Sequence, residues 1–344
     1  MTTAYGKRRG PGLITILFAL IVIACIAYSA YWFIARNVIS SGIDDWITEQ
    51  RAQGLEVDYA SRRLSGFPFR FVLDVEEPAY GIPDSQSMWR ADDLQIVMQP
   101  WNYNHAIIRA PGRHELGDGA MQALIDGRSA MSLRWGGGSI RQISMALNEA
   151  SFNVAGDEPA EVDDFEFHLR PAPGAPDMLQ LETHWQEVRL PDVPTEDMAF
   201  LGKVVGPSIL RAELDDGVPA IREGANLAHA FALALRSGGE LRVPQVMVEW
   251  GPAHLGGKMD LAAPEGDVSG SIGIRIEKAD DLRAALEAEG LMTDELRAYI
   301  GALEAASAND GFLPLPIRGD GIYFLGNRVA AIPFDEYMAP ANES

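Results

Sequence analysis

The sequence is short of cysteine, of lysine and of positive charge as a whole, and each shortage excludes a class of protein. Only one of its 344 residues is cysteine, so the chain has neither a disulfide framework nor a zinc site built from cysteines. Lysine and arginine number 28 against 49 acidic residues, a net charge of -21, which argues against nucleic acid or an anionic membrane surface as the main partner. A hydrophobic share of 47% excludes an intrinsically disordered chain.

The longest uncharged run, Leu13 to Ala35, predicts a transmembrane helix. At a rise of about 1.5 Å per residue it reaches roughly 34 Å, enough to cross a hydrocarbon core of about 30 Å. Basic residues precede it and acidic ones follow it, so the positive-inside rule places residues 1–12 in the cytoplasm and exports the chain after residue 36. The basic residues before the run are Lys7, Arg8 and Arg9.

Two alternatives explain the same run. A cleaved signal peptide needs a shorter apolar core and a small-residue cleavage site, which this run lacks. A lipoprotein signal is closer, because Val22-Ile23-Ala24-Cys25 has the residue types of a lipidation box, but the residues after Cys25 stay apolar for ten positions. We therefore favour an uncleaved anchor, with Cys25 inside the bilayer, and leave processing at Cys25 open.

The part of the chain beyond residue 36 is strongly acidic and contains no cysteine. Four basic residues lie within 1–36, which leaves 24 basic against 49 acidic residues and a net charge of -25. These features predict a bacterial inner-membrane protein whose bulk lies in the periplasm.

Hydrophobic periodicity predicts an α+β fold dominated by antiparallel sheet. An apolar stripe at helical spacing predicts a juxtamembrane helix over 36–54 that packs on the following domain. Apolar and polar residues then alternate across 55–192, as in an antiparallel β meander with one apolar and one wet face. We expect a mixed α+β continuation of the sheet over 193–333 and a flexible tail over 334–344.

Particular turns and helices follow from local signals. Met198, Leu201, Val204 and Val205 are spaced as in a helix, and further helices are predicted near 227–237, 280–289 and 293–306. Phe67, Phe69 and Phe71 are expected on one face of a strand, in the core. Turns between paired strands are predicted at Asp118-Gly119, Asp126-Gly127, Gly136-Gly137-Gly138, Gly156-Asp157 and Gly319-Asp320-Gly321.

A search for chemistry finds no catalytic, cofactor-binding or metal-binding residues to predict, and we expect no enzyme. Ser269 to Gly273 departs from a nucleophile elbow and sits in an alternating strand. Histidine pairs that could meet on neighbouring strands lack a third ligand, and acidic doublets are expected to cap and turn the chain. The histidine pairs are His105 with His114, beside Glu115, and His168 with His184. The doublets are Asp44-Asp45, Glu76-Glu77, Asp92-Asp93, Asp163-Asp164, Asp215-Asp216 and Asp280-Asp281.

Short motifs along nearly the whole chain resemble one family. The most specific is Ser65-Gly66-Phe67-Pro68-Phe69-Arg70-Phe71; the others are Trp89, Pro100-Trp101, Trp250-Gly251-Pro252, Leu313-Pro314-Leu315-Pro316 and Gly319-Asp320-Gly321. They resemble an uncharacterised proteobacterial family of membrane-anchored proteins, domain of unknown function 2125. The resemblance implies an inner-membrane anchor and a periplasmic β-rich domain, and no known activity. The glycine-punctuated amphipathic strands also look like those of AsmA/TamB-type envelope proteins, whose long sheets are thought to carry lipids.

Two functions remain open from the sequence. The first is lipid binding or transfer in the cell envelope, because an apolar sheet face that stays open could hold acyl chains. The alternative is a periplasmic interaction module or accessory subunit of an inner-membrane protein complex. A sheet face fully covered by the helices predicted near 197–237 and 280–306 would contradict the first.

Overall fold

The structure is a computed structural model that describes residues 13–331, except 84, 86, 118, 138, 155–157, 194, 224–226, 264–267, 309–310, 320 and 325. Its helices are α1 (Leu13–Ala52), α2 (Gly217–Glu223), α3 (Leu227–Arg236), α4 (Ala279–Ala288) and α5 (Asp294–Ser307), with a 3-10 helix at Glu196–Leu201. The predicted transmembrane and juxtamembrane helices are therefore one continuous helix. No sequence signal indicated α2.

Most of the remaining chain forms β-strands. In chain order they are β1 (Glu56–Asp58), β2 (Ser61–Ser65), β3 (Phe71–Glu76), β4 (Ala79–Gly81), β5 (Trp89–Ala91), β6 (Asp93–Gln99), β7 (Asn102–Arg109), β8 (Gly112–Leu116), β9 (Met121–Ile125), β10 (Ala130–Gly136), β11 (Ser139–Val154), β12 (Ala160–Ala172), β13 (Ala175–Trp185), β14 (Glu187–Arg189), β15 (Val204–Leu214), β16 (Glu240–Trp250), β17 (Ala253–Ala262), β18 (Ser269–Glu277), β19 (Leu313–Arg318), β20 (Gly321–Phe324) and β21 (Asn327–Ala331).

The strands form one antiparallel sheet in which each long strand lies beside the previous one in the chain. The main ladder runs β2, β3, β6, β7, β10, β11, β12, β13, β15, β16, β17, β18, β19, β20, β21. Five short strands lie in line with β2, β3, β6, β7 and β10, beyond a break in each. They are β1, β4, β5, β8 and β9; each pairs with the next in this order, and β9 pairs with β11. The predicted α+β class with a mainly antiparallel sheet is confirmed.

Acidic residues and proline mark the breaks in the early strands. Glu77 and Pro78 separate β3 from β4, and Asp92 separates β5 from β6. Neighbouring segments remain hydrogen-bonded at the breaks, because Glu77 N–H donates to the Asp92 carbonyl at 2.8 Å and Asp92 N–H donates to the Arg113 carbonyl at 3.0 Å. Glu77 adopts a positive φ of 49° at the first break, so its doublet bends the chain there, as predicted. Asp164, with a φ of 48°, instead lies within β12, where the strand continues.

Some local predictions are wrong. Asp126-Gly127 is not a hairpin turn, because β9 and β10 do not pair with each other but lie end to end along the same partner, β11. Val204 and Val205 lie in β15, because pairing with neighbouring strands of the sheet outweighs their helical spacing. The helix predicted there is reduced to the 3-10 turn. Gly156-Asp157, Asp118, Gly138, Asp320 and the tail from 332 lie outside the described residues.

Three hydrophobic clusters hold the helices to the sheet. α2 and α3 pack on the ends of later strands around Leu214, Leu235 and Ile317. α4 and α5 pack around Ile276, Leu286 and Ile300. α1 packs on β2 and β3 around Trp32, Leu64 and Phe71.

Candidate functional site: an apolar sheet face at the end of a long apolar helix

The strand registers place apolar side chains in rows that cross the sheet. Residues paired across antiparallel strands point to the same face, so each row can be followed from partner to partner. The first row is Leu73, Ile96, Ile108, Met131, Met145, Phe167, Thr183, Leu210 and Val246. The second is Phe71, Met98, Ala106, Leu133, Ile143, Leu169, Leu181 and Ala212. We call these the apolar rows and the surface that carries them the apolar face.

The apolar rows are long compared with a lipid. Neighbouring strands lie about 4.8 Å apart, so the nine positions of the first row extend roughly 38 Å across the sheet. In that row all members except the buried Thr183 are half-buried. A side chain is half-buried in this way when only its neighbours in the same sheet contact it and no second layer packs over the sheet.

Helices cover the apolar face only at its two ends. Within the part of the chain that the structure describes, the three clusters that bind the helices contain no residue of β6, β7, β10, β11 or β12. The hypothesis that the predicted helices cover the whole face is therefore not supported. The central strands keep an apolar surface without a helix on it.

An apolar cavity lies where the uncovered strands meet α2. Its volume is about 480 Å³, within the range of small-molecule sites. The sheet contributes Ile143, Phe167 and Leu169, and α2 contributes Val218 and Ile221. Polar residues, Arg141, Gln142 and Asp177, lie at its margin.

From β10 to β16 the opposite face of the strands is mainly polar and connected by side-chain bonds. Arg211 on β15 donates to Glu182 on β13 at 3.0 Å and to Gln245 on β16 at 3.1 Å. Arg242 forms an ion pair with Asp215 at 2.7 Å. The predicted polar face is therefore present on the later strands, whereas on β3, β6 and β7 the same face carries an apolar row, Val72, Val97 and Ile107.

The last turns of the apolar run of α1 contact two turns of the sheet. Tyr28 Oη donates to the Pro68 carbonyl at 2.5 Å, and Tyr31 Oη donates to the Pro100 carbonyl at 2.7 Å. Trp32, 2% exposed, stacks on Phe71 with ring centroids 5.2 Å apart. These contacts fix the β2–β3 and β6–β7 turns beside the end of the apolar helix.

The prediction that Phe67, Phe69 and Phe71 share the core is only partly right. Phe71 is 2% exposed, but Phe67 and Phe69 are 48% and 69% exposed, because the chain turns from Gly66 to Arg70 before β3 begins. Gly66 has φ of 104°, and a Cβ there would lie 2.6 Å from the Arg70 carbonyl oxygen. The motif is a tight turn whose aromatic rings point to α1 and outward.

Exposed aromatic side chains gather on this edge of the sheet, which we call the anchor edge. It comprises the β2–β3, β6–β7, β10–β11 and β12–β13 turns, which the registers place at the same ends of adjacent strands. Trp101 is 62% exposed and Tyr103 42%. Phe67 stacks on Phe33 of α1 at 5.6 Å. The apolar surface of the helix thus continues onto the anchor edge.

The predicted histidine pairs meet different outcomes. His105, in β7, and His114, in β8, bind different partners. His105 Nε2 lies 2.9 Å from Ser132 Oγ, and His114 Nε2 lies 2.8 Å from the Ala110 carbonyl oxygen. His168 and His184 do come together, 3.2 Å and 3.6 Å from the same Glu166 carboxylate. Among the described residues, however, no group of three or more His, Cys, Asp or Glu side chains is arranged so that it could hold a metal ion.

One acidic residue at a strand break has a shifted pKa. The backbone N–H of Arg128 donates to the carboxylate of Asp126, and with the Arg128 side chain it lowers the pKa of Asp126 below 3.8. Asp126 N–H in turn donates to the Glu149 carbonyl at 3.0 Å. This carboxylate holds the break between β9 and β10, a structural role for a residue that the sequence assigned to a hairpin. Ser269 to Gly273 lie within strand β18, as expected.

Fold and site together define a class of protein: an α+β chain with one apolar N-terminal helix, long enough to cross a membrane, beside a large amphipathic antiparallel sheet. The model of a bacterial family, described as "uncharacterized protein conserved in bacteria (DUF2125)", matches residues 32–333. The chain belongs to that family, which confirms the resemblance seen in its motifs. No curated protein and no solved structure matches the chain.

Proposed function

We propose that the protein binds lipid on its apolar face and passes it along the cell envelope, anchored in the membrane by α1. The observation that supports this most directly is the central part of the apolar rows, on β6, β7, β10, β11 and β12, which no described helix covers. Acyl chains gain about 0.8 kcal/mol per buried CH₂ group when they leave water. The uncovered part, five strands and about 19 Å across, could therefore bind them without any catalytic group.

The contacts of α1 support an orientation in which the anchor edge of the sheet faces the membrane. Tyr28 lies seven residues before Ala35, the end of the uncharged run, which is about 10 Å along the helix axis. Because Tyr28 holds the carbonyl of Pro68, the anchor edge would lie at the level of the lipid headgroups. Phe69 and Trp101 would then enter the interface, where aromatic rings are favoured.

The location follows from the same anchor. We place α1 in the inner membrane of a bacterium, with residues 1–12 cytoplasmic and the sheet in the periplasm. Lys7, Arg8 and Arg9 before the apolar run support this orientation. Alkaline phosphatase fused after residue 344 should be active, since it folds only when exported; an active β-galactosidase fusion would contradict the orientation.

Native mass spectrometry of the detergent-extracted full chain tests lipid binding. We expect co-purified phospholipid on the wild-type protein and its loss in Met145→Glu, which places a carboxylate in an apolar row. The matched control is Ser144→Glu, on the neighbouring residue of the opposite face, which should keep the lipid. Equal lipid content in both variants, or none on the wild type, would contradict the proposal.

A second candidate, an interaction module or accessory subunit of a membrane protein complex, is favoured by the last strand. Within the described part of the chain, β21 pairs only with β20, and all five of its residues are exposed. An open strand edge can accept a strand from a partner. A stoichiometric protein mass in place of lipid in the same spectra would favour this candidate.

A further inference from the structure

A second cavity, lined by arginines, adjoins the apolar cavity across the anchor edge. It has a volume of about 430 Å³, and its lining includes Arg134, Arg141 and Arg170 but no carboxylate. The three arginines come from the ends of β10, β11 and β12, which the registers place side by side. Asn102, next to the exposed Trp101, lines the same cavity.

The positive charge of this cavity is not neutralised by the protein. Among the described residues, none of the three arginines forms an ion pair with a carboxylate, and all three are exposed. Arg141 Nε donates to the Gly136 carbonyl at 3.2 Å, and Arg170 Nε donates to Gln180 Oε1 at 3.3 Å. Both bonds use Nε and leave the terminal guanidinium nitrogens for another acceptor.

Three arginines that line one cavity without a carboxylate differ from many arginines of the sheet. Arg189 pairs with Glu161 at 2.5 Å and Arg242 with Asp215 at 2.7 Å, whereas Arg109 and Arg318, which form no ion pair among the described residues, lie apart from each other. In a protein of net charge -21, three arginines together without an acid define a local anion site. Guanidinium groups bind phosphate oxygens in paired hydrogen bonds, which favours a phosphate group as the anion.

The two cavities share part of their lining, which favours a single ligand that occupies both. Arg141, Gln142 and Pro171 line both of them. We propose that Arg134, Arg141 and Arg170 bind the phosphate of a phospholipid, while an acyl chain of the same molecule enters the apolar cavity. The acyl half of this assignment rests on the proposed function; the phosphate half rests on the arginines.

Calorimetric titration of the full chain in detergent micelles tests the assignment with three probes. Dihexanoylphosphatidylglycerol carries both a phosphate and acyl chains, dihexanoylglycerol carries the chains alone, and inorganic phosphate is the free anion. The test variant combines Arg134→Gln, Arg141→Gln and Arg170→Gln. The control, with the same change of charge, combines Arg63→Gln, Arg109→Gln and Arg318→Gln, all exposed and outside the cavity.

The expected result is selective. The test variant should bind the phosphatidylglycerol at least tenfold more weakly and the neutral lipid within twofold of wild type, while the control variant changes neither beyond twofold. Unchanged phosphatidylglycerol binding in the test variant would overturn the arginine site and leave the proposed function intact. Inorganic phosphate bound as tightly as the lipid would overturn the phospholipid assignment. A wild-type protein that binds neither lipid would overturn both proposals.

Discussion

At the scale of single residues, Trp32 does the most to join the helix to the sheet. Its ring stacks on Phe71 and meets Phe67 edge-on at 5.4 Å, and its Nε1 donates to the Arg70 carbonyl at 3.3 Å. A residue of the run predicted to cross the membrane is thus also a core residue. No local sequence signal indicated this role, because the partners of Trp32 lie 35 to 39 positions away in the Ser65–Phe71 motif.

Replacing Trp32 by alanine should destabilise the protein markedly. Truncation of a buried aromatic side chain costs about 3–5 kcal/mol, and we expect the lower end because α1 remains bonded through Tyr28, Tyr31 and Arg36. Chemical unfolding of the full chain in micelles measures the loss. Trp46→Ala is the control, because Trp46 is 46% exposed and, among the described residues, its ring stacks only on Tyr80, which predicts about 1 kcal/mol or less. Equal losses would contradict the role of Trp32.

Asp126 predicts a dependence of stability on pH. Its pKa is lower in the folded chain than the unperturbed 3.8, so its carboxylate stabilises the fold above the unfolded pKa, and this contribution disappears as the pH falls through the folded pKa. Wild type should therefore melt at a higher temperature than Asp126→Asn at pH 6, and the difference should shrink once the pH falls below 3.8. A difference that stays constant between these pH values would show that the charge is not responsible.

At the scale of the elements, the sequence predicted strands and most helices well, and turns less well. Alternation is a local signal, so β6, β12 and β18 could be located from their own residues. The role of Asp126-Gly127 could not, because the same dipeptide serves as a hairpin turn or as a break within one strand. Only the partner, β11, which pairs along its length with β10 and then β9, distinguishes the two.

The candidate site was less accessible to sequence analysis than the fold. Periodicity indicated that one face is apolar but not whether it is covered, since this depends on where α2 to α5 pack. The arginine cavity was missed because Arg134, Arg141 and Arg170 are scattered along an acidic chain. A signal did exist: the segments 66–71, 98–105, 133–142 and 169–178 contain four arginines and one acid, Asp177. This signal can be recognised only with the strand register, which places these segments on one edge of the sheet.

The anchor edge predicts that Trp101 lies in the lipid interface. Full-length protein in vesicles of phospholipids brominated in their acyl chains should show quenched tryptophan fluorescence, and Trp101→Phe should remove a clear share of that quenching. Trp250 is the control because it lies at the opposite ends of the strands, so Trp250→Phe should leave the quenched intensity unchanged. The same loss in both variants would contradict an edge that rests on the membrane.

At the scale of the whole molecule, the protein is a long two-faced sheet held by its own helix. The helix fixes one edge through Tyr28, Tyr31 and Trp32, and the sheet continues in chain order away from it. One face is apolar and lacks a covering helix over its central strands, while the other is mainly polar from β10 to β16. A sheet built this way does not need a catalytic centre to act; the apolar rows themselves are the functional surface that we propose.

Site-specific photocrosslinking tests this claim most directly. A benzoylphenylalanine at position 167, in the first apolar row, is compared in living cells with one at position 168, the adjacent residue on the polar face. The account predicts that the probe replacing Phe167 captures phospholipid, detected by mass spectrometry, and that the probe replacing His168 does not. Equal capture at both positions, or capture of a protein at position 167, would contradict a lipid-binding face.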